Sequence, residues 1–255
     1  MESLESDIKV REREFHNERF GAECDPRSDL SKYYSLTQEC NEYYRSLIRA
    51  NAPAGSTVLE YGCGNGANFN FYKSLNCDFY AIDISSEAIK KAAAAAASKG
   101  LECKYSVADA EHTNFDSDFF DLVLGSGILH HLDINKSLAE LSRVTKQTGC
   151  CVFFEPLGHN PLINMFRALT PKLRSQDEHP LHDRDLETMK RYFGAIDISY
   201  FHFFGLAAVP FRGTRFFAKA LRRLGQLDAY FVRRFGWFGK YCWICVIRMS
   251  NPIKD

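Results

Sequence analysis

A glycine-rich turn placed directly after a buried apolar run constrains the fold of this chain more than any other feature. The run Thr57–Tyr61 has the length and composition of a strand, and Gly62, Gly64 and Gly66 follow it before a helical segment begins. Glycines in this position let the backbone approach a ligand closely and direct its amides toward it. The motif therefore predicts a ligand-binding loop at the carboxyl end of a first strand.

Around this loop, short apolar runs alternate with segments of helical periodicity. Besides the first strand, the predicted strands are 79–82, 105–108, 120–124, 150–154, 195–203 and 241–249. The predicted helices are 31–50, 68–74, 86–99, 135–146, 161–169 and 183–193. Strand–helix–strand repeats of this length make right-handed crossovers, which give a parallel sheet covered by helices on both faces. We therefore predict a doubly wound, Rossmann-like α/β fold.

Three parts can be distinguished within this single predicted domain: an N-terminal arm (1–30), a core with the glycine loop (31–155) and the rest of the sheet (156–255). A helical cap insertion at about 205–240 separates the last two predicted strands and is far longer than a hairpin loop. Between residues 200 and 250 there are nine basic residues and one acid, in a chain whose net charge is zero. This pattern indicates either a solvated helix face or peripheral contact with an anionic membrane.

Composition and cysteine usage favour a cytoplasmic protein. The longest stretch without a charged residue, 198–211, has 14 residues, and a spanning helix needs roughly 18 or more. The amino terminus has neither the basic start nor the apolar run of a secretory signal. Nine cysteines in such a chain are expected to be reduced core thiols. Cys242 and Cys245 would face opposite sides of one predicted strand, so we predict no metal site.

Two acidic residues near the glycine loop bear on the identity of the ligand. Glu60 lies near the end of the first predicted strand, where it suits an ammonium group and is ill suited to a pyrophosphate. Asp109 follows the third predicted strand, within reach of an adenine amino group. The glycine spacing nevertheless also satisfies the dinucleotide motif G-x-G-x-x-A, which ends at Ala67, and Asp83 lies about 20 residues further on. The loop alone therefore leaves the ligand open.

The sequence after the fourth predicted strand, Gly125-Ser-Gly-Ile-Leu-His-His131, adds a second glycine-containing loop with paired histidines. With this motif, the stretch Thr57–Glu155 resembles the class I S-adenosylmethionine-dependent methyltransferases of the small-molecule type. The resemblance implies S-adenosylmethionine as the cofactor. It also implies a seven-stranded, mostly parallel sheet in which the last strand is antiparallel.

The resemblance also assigns the residues that contact the cofactor. Around its methionine part lie Glu60, Gly62, Gly64, Gly66 and, within the same loop, Asn65. Beside its adenosine lie Asp83, Ile84, Asp109 and Ala110, of which Asp83 would bind the ribose hydroxyls. Beneath its sulfonium lie Gly125 and Ser126.

Three histidines are the candidates for contact with the methyl acceptor. His130 and His131 follow the fourth strand, and His159 follows the fifth at the edge where ligands of open α/β sheets bind. A base is needed only where the acceptor must lose a proton, and it would then contribute roughly 10²- to 10⁴-fold. The polar cluster Asp177–His182 is interpreted as a loop that leads into a helix.

The predicted function is methyl transfer to oxygen or nitrogen of a small, aromatic or lipophilic acceptor. The aromatic insertion at 205–240 would cover that acceptor. Two alternatives stay open: an NAD-dependent oxidoreductase, and a non-catalytic cofactor-binding or membrane-surface module. Nucleic acid is not expected as a partner, because no base-stacking motif or separate nucleic-acid domain is visible.

Overall fold

A single seven-stranded sheet forms the centre of the computed structural model, which describes residues 2–22, 35–171, 174–175 and 177–254. The strands are β1 (Thr57–Tyr61), β2 (Asp78–Asp83), β3 (Cys103–Val107), β4 (Phe120–Ser126), β5 (Thr145–Pro156), β6 (Phe193–Phe201) and β7 (Ile244–Pro252). Their order is β3-β2-β1-β4-β5-β7-β6, and β7 runs antiparallel to both of its neighbours. The predicted fold and the reversed last strand are confirmed.

Eight α-helices lie among the described residues. They are α1 (Glu2–Gly21), α2 (Gln38–Asn51), α3 (Phe69–Tyr72), α4 (Ser86–Ser98), α5 (Ile134–Val144), α6 (Pro161–Leu169), α7 (Asp183–Met189) and α8 (Phe217–Arg234). Ser85 caps α4 by accepting a hydrogen bond from the Ala88 amide. None of the described helices combines the length and apolarity needed to cross a bilayer.

Several predicted boundaries differ from the observed ones. The helix predicted over 31–50 begins at Gln38 after a 3₁₀ turn, and residues 31–34 lie outside the described part. The strand predicted from Tyr241 begins at Ile244, because a 3₁₀ turn occupies Gly236–Tyr241. Cys242 is therefore not in a strand with Cys245, and the argument that placed them on opposite strand faces was wrong.

Alternation along the strands divides the apolar residues between the two faces of the sheet. Val58 and Leu122 belong to the cluster that packs under α2, α3 and α4. Leu59 and Val123 belong to the cluster that packs under α5 and α7. Because side chains on a strand alternate between the two faces of the sheet, the packing of the core residues also fixes the face to which the side chain at the end of each strand belongs.

The insertion between β6 and β7 consists of a 3₁₀ segment (Phe204–Phe211), α8 and the turn at Gly236–Tyr241. The buried Asp228 of α8 accepts hydrogen bonds from the amides of Phe204 and Gly205. Leu36, which precedes α2, packs against Ala208 and Leu221. The insertion is thus anchored on the β6 side of the molecule.

Candidate active site

A cavity of about 740 Å³ lies at the carboxyl ends of β1 to β4. Nine of the eleven predicted cofactor contacts line it: Glu60, Gly62, Gly64, Asn65, Asp83, Ile84, Asp109, Ala110 and Ser126. Gly66 and Gly125 are not among the described lining residues. A Cβ atom on Gly125 would lie 2.6 Å from the Phe153 ring, so this glycine permits close packing behind the cavity wall.

Glu60 is the penultimate residue of β1 and is buried in the cavity wall. Its Oε1 atom accepts a hydrogen bond of 2.7 Å from the Tyr72 hydroxyl, while Oε2 has no hydrogen-bond partner among the described residues. Burial raises the pKa of Glu60 to about 8. A buried acid with an unsatisfied oxygen is costly unless a ligand completes it, and a ligand ammonium would do so. Glu60 therefore fits the cationic amino-acid part of S-adenosylmethionine.

Asp83 ends β2 and fixes the glycine loop through backbone amides. Its two carboxylate oxygens accept hydrogen bonds of 2.9 Å from the Gly64 and Ser85 amides. Gly62 has a φ of +77°, and a Cβ atom there would lie 2.9 Å from the Ile128 side chain. Since each carboxylate oxygen can accept a further hydrogen bond, Asp83 can still bind the hydroxyls of a ribose.

Asp109, after β3, faces a lysine that comes from α1. The Lys9 Nζ atom lies 2.5 Å from Asp109 Oδ2 and 2.8 Å from Glu111 Oε2. Burial by itself would lower the pKa of Lys9, but the hydrogen bonds and charges of Asp109 and Glu111 raise it. The edge of the cavity that the resemblance assigns to adenine is thus covered by α1.

Three further contacts hold α1 over the cavity. Arg11 makes a bidentate ion pair of 2.8 and 2.9 Å with Asp177. Asn17 accepts a hydrogen bond of 2.7 Å from the Ser85 hydroxyl. The Phe20 ring faces Gly64, since a Cβ atom there would lie 3.2 Å from it. The sequence of the N-terminal arm suggests only a loose or lid-like segment, and its described part, helix α1, forms the roof of the cavity.

His131 is the one predicted acceptor-contacting histidine among the described lining residues. Its Nδ1 atom lies 3.2 Å from Glu12 Oε2, and the same oxygen lies 3.4 Å from His16 Nε2. Burial would raise the pKa of Glu12, but its close contacts with the two imidazoles lower it. Burial and the neighbouring His130 lower the pKa of His131. Glu12 and His16 of the α1 roof therefore meet His131, which belongs to the opposite side of the cavity, at the carboxyl ends of the strands.

His130 faces away from the cavity, toward β5. Its Nδ1 atom lies 2.7 Å from Glu155 Oε2, and Glu155 Oε1 accepts hydrogen bonds of 2.9 Å from the Ile128 and Leu129 amides. Glu155 is fully buried, and burial raises its pKa to about 7. The structure thus places His130 where it holds the loop after β4 and not in the described cavity wall.

His159 also lies outside the described cavity wall. Because β5 continues to Pro156, His159 is carried past the edge of the sheet toward α7. Its Nε2 atom lies 3.3 Å from His182 Nδ1 and 3.8 Å from Asp183 Oδ1. The polar cluster 177–182 is divided between two places, since Asp177 and His179 line the cavity.

Sequence reasoning missed the residues that α1 contributes and one tyrosine. Glu12 and His16 are four residues apart, which places them on one face of a helix, and that spacing was the available signal. Tyr44 of α2 is buried and donates a hydrogen bond of 3.1 Å to the Gly125 carbonyl. No residue of 205–240 is among the described lining residues, so α1 occupies the place that was expected for the insertion.

Comparison with known proteins identifies the domain around this cavity. Residues 59–153 match the family described as a methyltransferase domain. A tRNA (carboxymethyluridine(34)-5-O)-methyltransferase of Arabidopsis thaliana is 38% identical over 126 residues, which are 47% of this chain and 29% of that protein. A ubiquinone biosynthesis O-methyltransferase of Bordetella avium is 23% identical over 179 residues, which are 67% of this chain and 73% of that protein.

Solved structures share the fold over most of the chain. A phosphoethanolamine N-methyltransferase 2 of Haemonchus contortus, in complex with S-adenosylhomocysteine, matches with a TM-score of 0.63 and 16% identity. That match covers 94% of this chain and 60% of the other. The first three curated relatives are matched over 29%, 52% and 60% of their own lengths. The matched domain and the reversed last strand support the resemblance of this chain to the class I S-adenosylmethionine-dependent methyltransferases.

Proposed function

We propose that this chain binds S-adenosylmethionine in the 740 Å³ cavity and transfers its methyl group to oxygen or nitrogen of a small, aromatic or lipophilic acceptor. One observation carries the proposal: Glu60, Asp83 and Asp109, which come from the ends of three adjacent strands, line a single cavity. In S-adenosylmethionine, the ammonium group would be the partner of Glu60, the ribose that of Asp83 and the adenine that of Asp109. The cavity volume is in the range of about 300–1,000 Å³ that is typical of ligand sites.

The buried carboxyl of Glu60 favours this cofactor over a dinucleotide. A dinucleotide would bring its pyrophosphate to the glycine loop, beside an acid that has an unsatisfied oxygen. With its pKa raised to about 8, Glu60 gains no favourable charge interaction from a pyrophosphate, whereas an ammonium group would stabilise its ionised form. The NAD-dependent alternative is therefore disfavoured on electrostatic grounds.

The cofactor supplies an activated methyl group, so the protein has mainly to orient the reactants and exclude water. The carboxyl ends of β1 to β4, with the loops that follow them, form the floor on which the cofactor would rest. The α1 roof, held by Lys9 and Arg11, closes the cavity from the opposite side. We propose that His131, which lies between floor and roof, contacts the acceptor.

A calorimetric titration tests the cofactor assignment. The full-length protein is titrated separately with S-adenosylmethionine, S-adenosylhomocysteine and NAD. The proposal expects binding of the first two with one site per chain and no measurable binding of NAD. Binding of NAD alone would overturn it, because the acids of the floor would then serve a different ligand.

A lipophilic acceptor is supported by the exposed surface of α8. Six exposed residues recur there at helical spacing and form one stripe: Phe216, Lys219, Arg223, Leu227, Tyr230 and Arg234. Apolar and basic side chains on one helix face are typical of contact with the surface of an anionic membrane. We propose that this stripe rests on such a membrane and brings the domain to its acceptor.

Vesicle binding tests this contact. Each basic residue near an anionic surface contributes about 1 kcal/mol, so Arg223→Gln should weaken binding to phosphatidylserine vesicles about fivefold. Arg191→Gln, at an exposed arginine beyond the stripe, is the matched control and should bind like the wild type. Equal binding to neutral and anionic vesicles would contradict the proposal.

The class of acceptor is tested separately, by measuring methyl incorporation into tRNA and into a lipid extract. Incorporation into tRNA alone would contradict a small lipophilic acceptor and indicate RNA instead.

A further inference from the structure

We propose that Glu12, His16 and His131 bind one divalent transition-metal ion in the roof of the cavity. The three side chains offer one oxygen and two nitrogen atoms that all lie within 4.8 Å of one another. Two of them come from α1, and the third comes from the turn after β4. The ion would thus join the roof to the floor.

The distances agree with a tetrahedral arrangement. Zinc binds imidazole nitrogen and carboxylate oxygen at about 2.0–2.2 Å, so adjacent ligands of a tetrahedral site lie about 3.3–3.5 Å apart. Glu12 Oε2 lies 3.2 Å from His131 Nδ1 and 3.4 Å from His16 Nε2. Two of the three distances between ligand atoms thus match a tetrahedral site, and the third is no more than 4.8 Å.

A second observation shows that these atoms lack a hydrogen-bonding explanation. Glu12 is 5% exposed, and the side chain of His131 is 7% exposed. Although Glu12 Oε2 and His131 Nδ1 lie close together, neither atom has a hydrogen bond of acceptable geometry among the described residues. Buried polar atoms without partners are costly, and a shared cation would satisfy both.

The remaining contacts are those expected around metal ligands. The other carboxylate oxygen of Glu12 accepts a hydrogen bond from the Ser175 hydroxyl. Outer hydrogen bonds of this kind orient ligands and tune their affinity. Two imidazoles with one carboxylate form a ligand set of catalytic zinc sites and of other first-row metal sites, which keep an open coordination position. All three residues line the cavity, so we infer that the open position faces it.

This site would narrow the acceptor class, an inference that rests on the proposed function. A hydroxyl oxygen bound at the open position would lose its proton to water more readily, because a cation stabilises the resulting anion. The C–O bond would then form as the bond between methyl carbon and sulfur breaks, and the electron pair would stay on sulfur. We therefore infer that the acceptor is a small molecule with a hydroxyl group.

Cobalt titration of the full-length protein tests the site, since Co²⁺ reports its coordination geometry through its absorption spectrum. We expect one Co²⁺ per chain with a tetrahedral spectrum, displaced by Zn²⁺. Glu12→Gln should weaken Co²⁺ binding roughly 100-fold or more, because it removes the charged ligand yet keeps the size of the side chain. Glu14→Gln, at an exposed glutamate of the same helix, is the matched control and should leave Co²⁺ affinity unchanged.

Three outcomes would overturn the site: no Co²⁺ binding by the wild type, equal affinity in Glu12→Gln, or loss of binding in Glu178→Gln with none in Glu12→Gln. The last variant matters because Glu178 also lies near His130 and His131. S-adenosylhomocysteine binding by the wild type is measured in parallel. If the wild type binds S-adenosylhomocysteine but no Co²⁺, the metal-site proposal is wrong and the proposed function stands. If it binds Co²⁺ but no S-adenosylhomocysteine, the metal site stands and the proposed function is wrong.

Discussion

The floor and the roof of the cavity are built by different kinds of interaction. In the floor, Asp83 accepts hydrogen bonds of 2.9 Å from two backbone amides, that of Ser85 in the loop after its own strand and that of Gly64 in the neighbouring loop after β1. In the roof, Lys9 reaches Asp109 and Arg11 reaches Asp177 through side chains alone, across 100 and 166 residues of chain. The floor is therefore fixed locally, whereas the roof depends on a few long-range ion pairs.

This difference predicts different responses to mutation. Backbone hydrogen bonds inside a packed sheet open only when a large part of the structure opens, while partly exposed ion pairs contribute little to stability. Substitutions in the floor should therefore change cofactor affinity strongly. Substitutions in the roof should mainly change how often the cavity opens.

The largest effect is expected for Asp83→Ala in the floor. The substitution removes the acceptor for two ribose hydroxyls, and hydrogen bonds to a charged group are worth about 1.5–3 kcal/mol each. S-adenosylhomocysteine affinity, measured by calorimetry, should fall 100-fold or more. Asp78→Ala, at an exposed aspartate at the start of the same strand, is the control and should keep wild-type affinity. An unchanged affinity in Asp83→Ala would show that the floor does not bind the ribose.

An intermediate effect is expected for Glu60→Gln, on the stability of the protein without ligand, and this effect depends on pH. Burial raises the pKa of Glu60 to about 8 from 4.5, so the folded protein holds a proton that the unfolded chain releases. Stability from this group is complete below pH 4.5 and is lost as pH rises toward 8. In urea unfolding without ligand, the variant should match the wild type at pH 4.5 and be more stable at pH 9. A wild type that loses no stability relative to the variant would contradict the burial of this acid.

The smallest effect on affinity is expected for Lys9→Met in the roof. The variant removes the ion pairs to Asp109 and Glu111 but keeps most of the apolar stem, so cofactor affinity should change only a few fold. Hydrogen exchange should become faster in residues 7–21 and stay unchanged in β1 and β2. Lys90→Met, at an exposed lysine of α4, should change neither. Equal exchange of α1 in the wild type and in Lys9→Met would show that other contacts hold the roof.

Much of the floor could be predicted from the sequence because its signals are local. A strand followed by glycines, and an acid at the end of each of the next two strands, can be recognised within a few consecutive residues. Each of these short motifs has a characteristic backbone geometry. Since neighbouring parallel strands end at one edge, the adjacency of β1, β2 and β3 in the structure brings Glu60, Asp83 and Asp109 together. The two glycines that do not line the cavity, Gly66 and Gly125, show the limit of this reasoning. Because glycine has no side chain, Gly66 leaves space for Phe69 and Gly125 leaves space for Phe153. These contacts can be seen only in the packed structure.

The amino-acid sequence by itself determined the α/β alternation and the acids of the floor, and the resemblance that its motifs carry implied the reversed last strand. Only the tertiary structure decided that α1 forms the roof, that His131 faces the cavity and that His130 and His159 do not. The physical reason is that strand pattern and glycine turns act over a few residues. The direction of a loop side chain depends instead on partners far along the chain, such as Glu155 for His130 and Glu12 for His131.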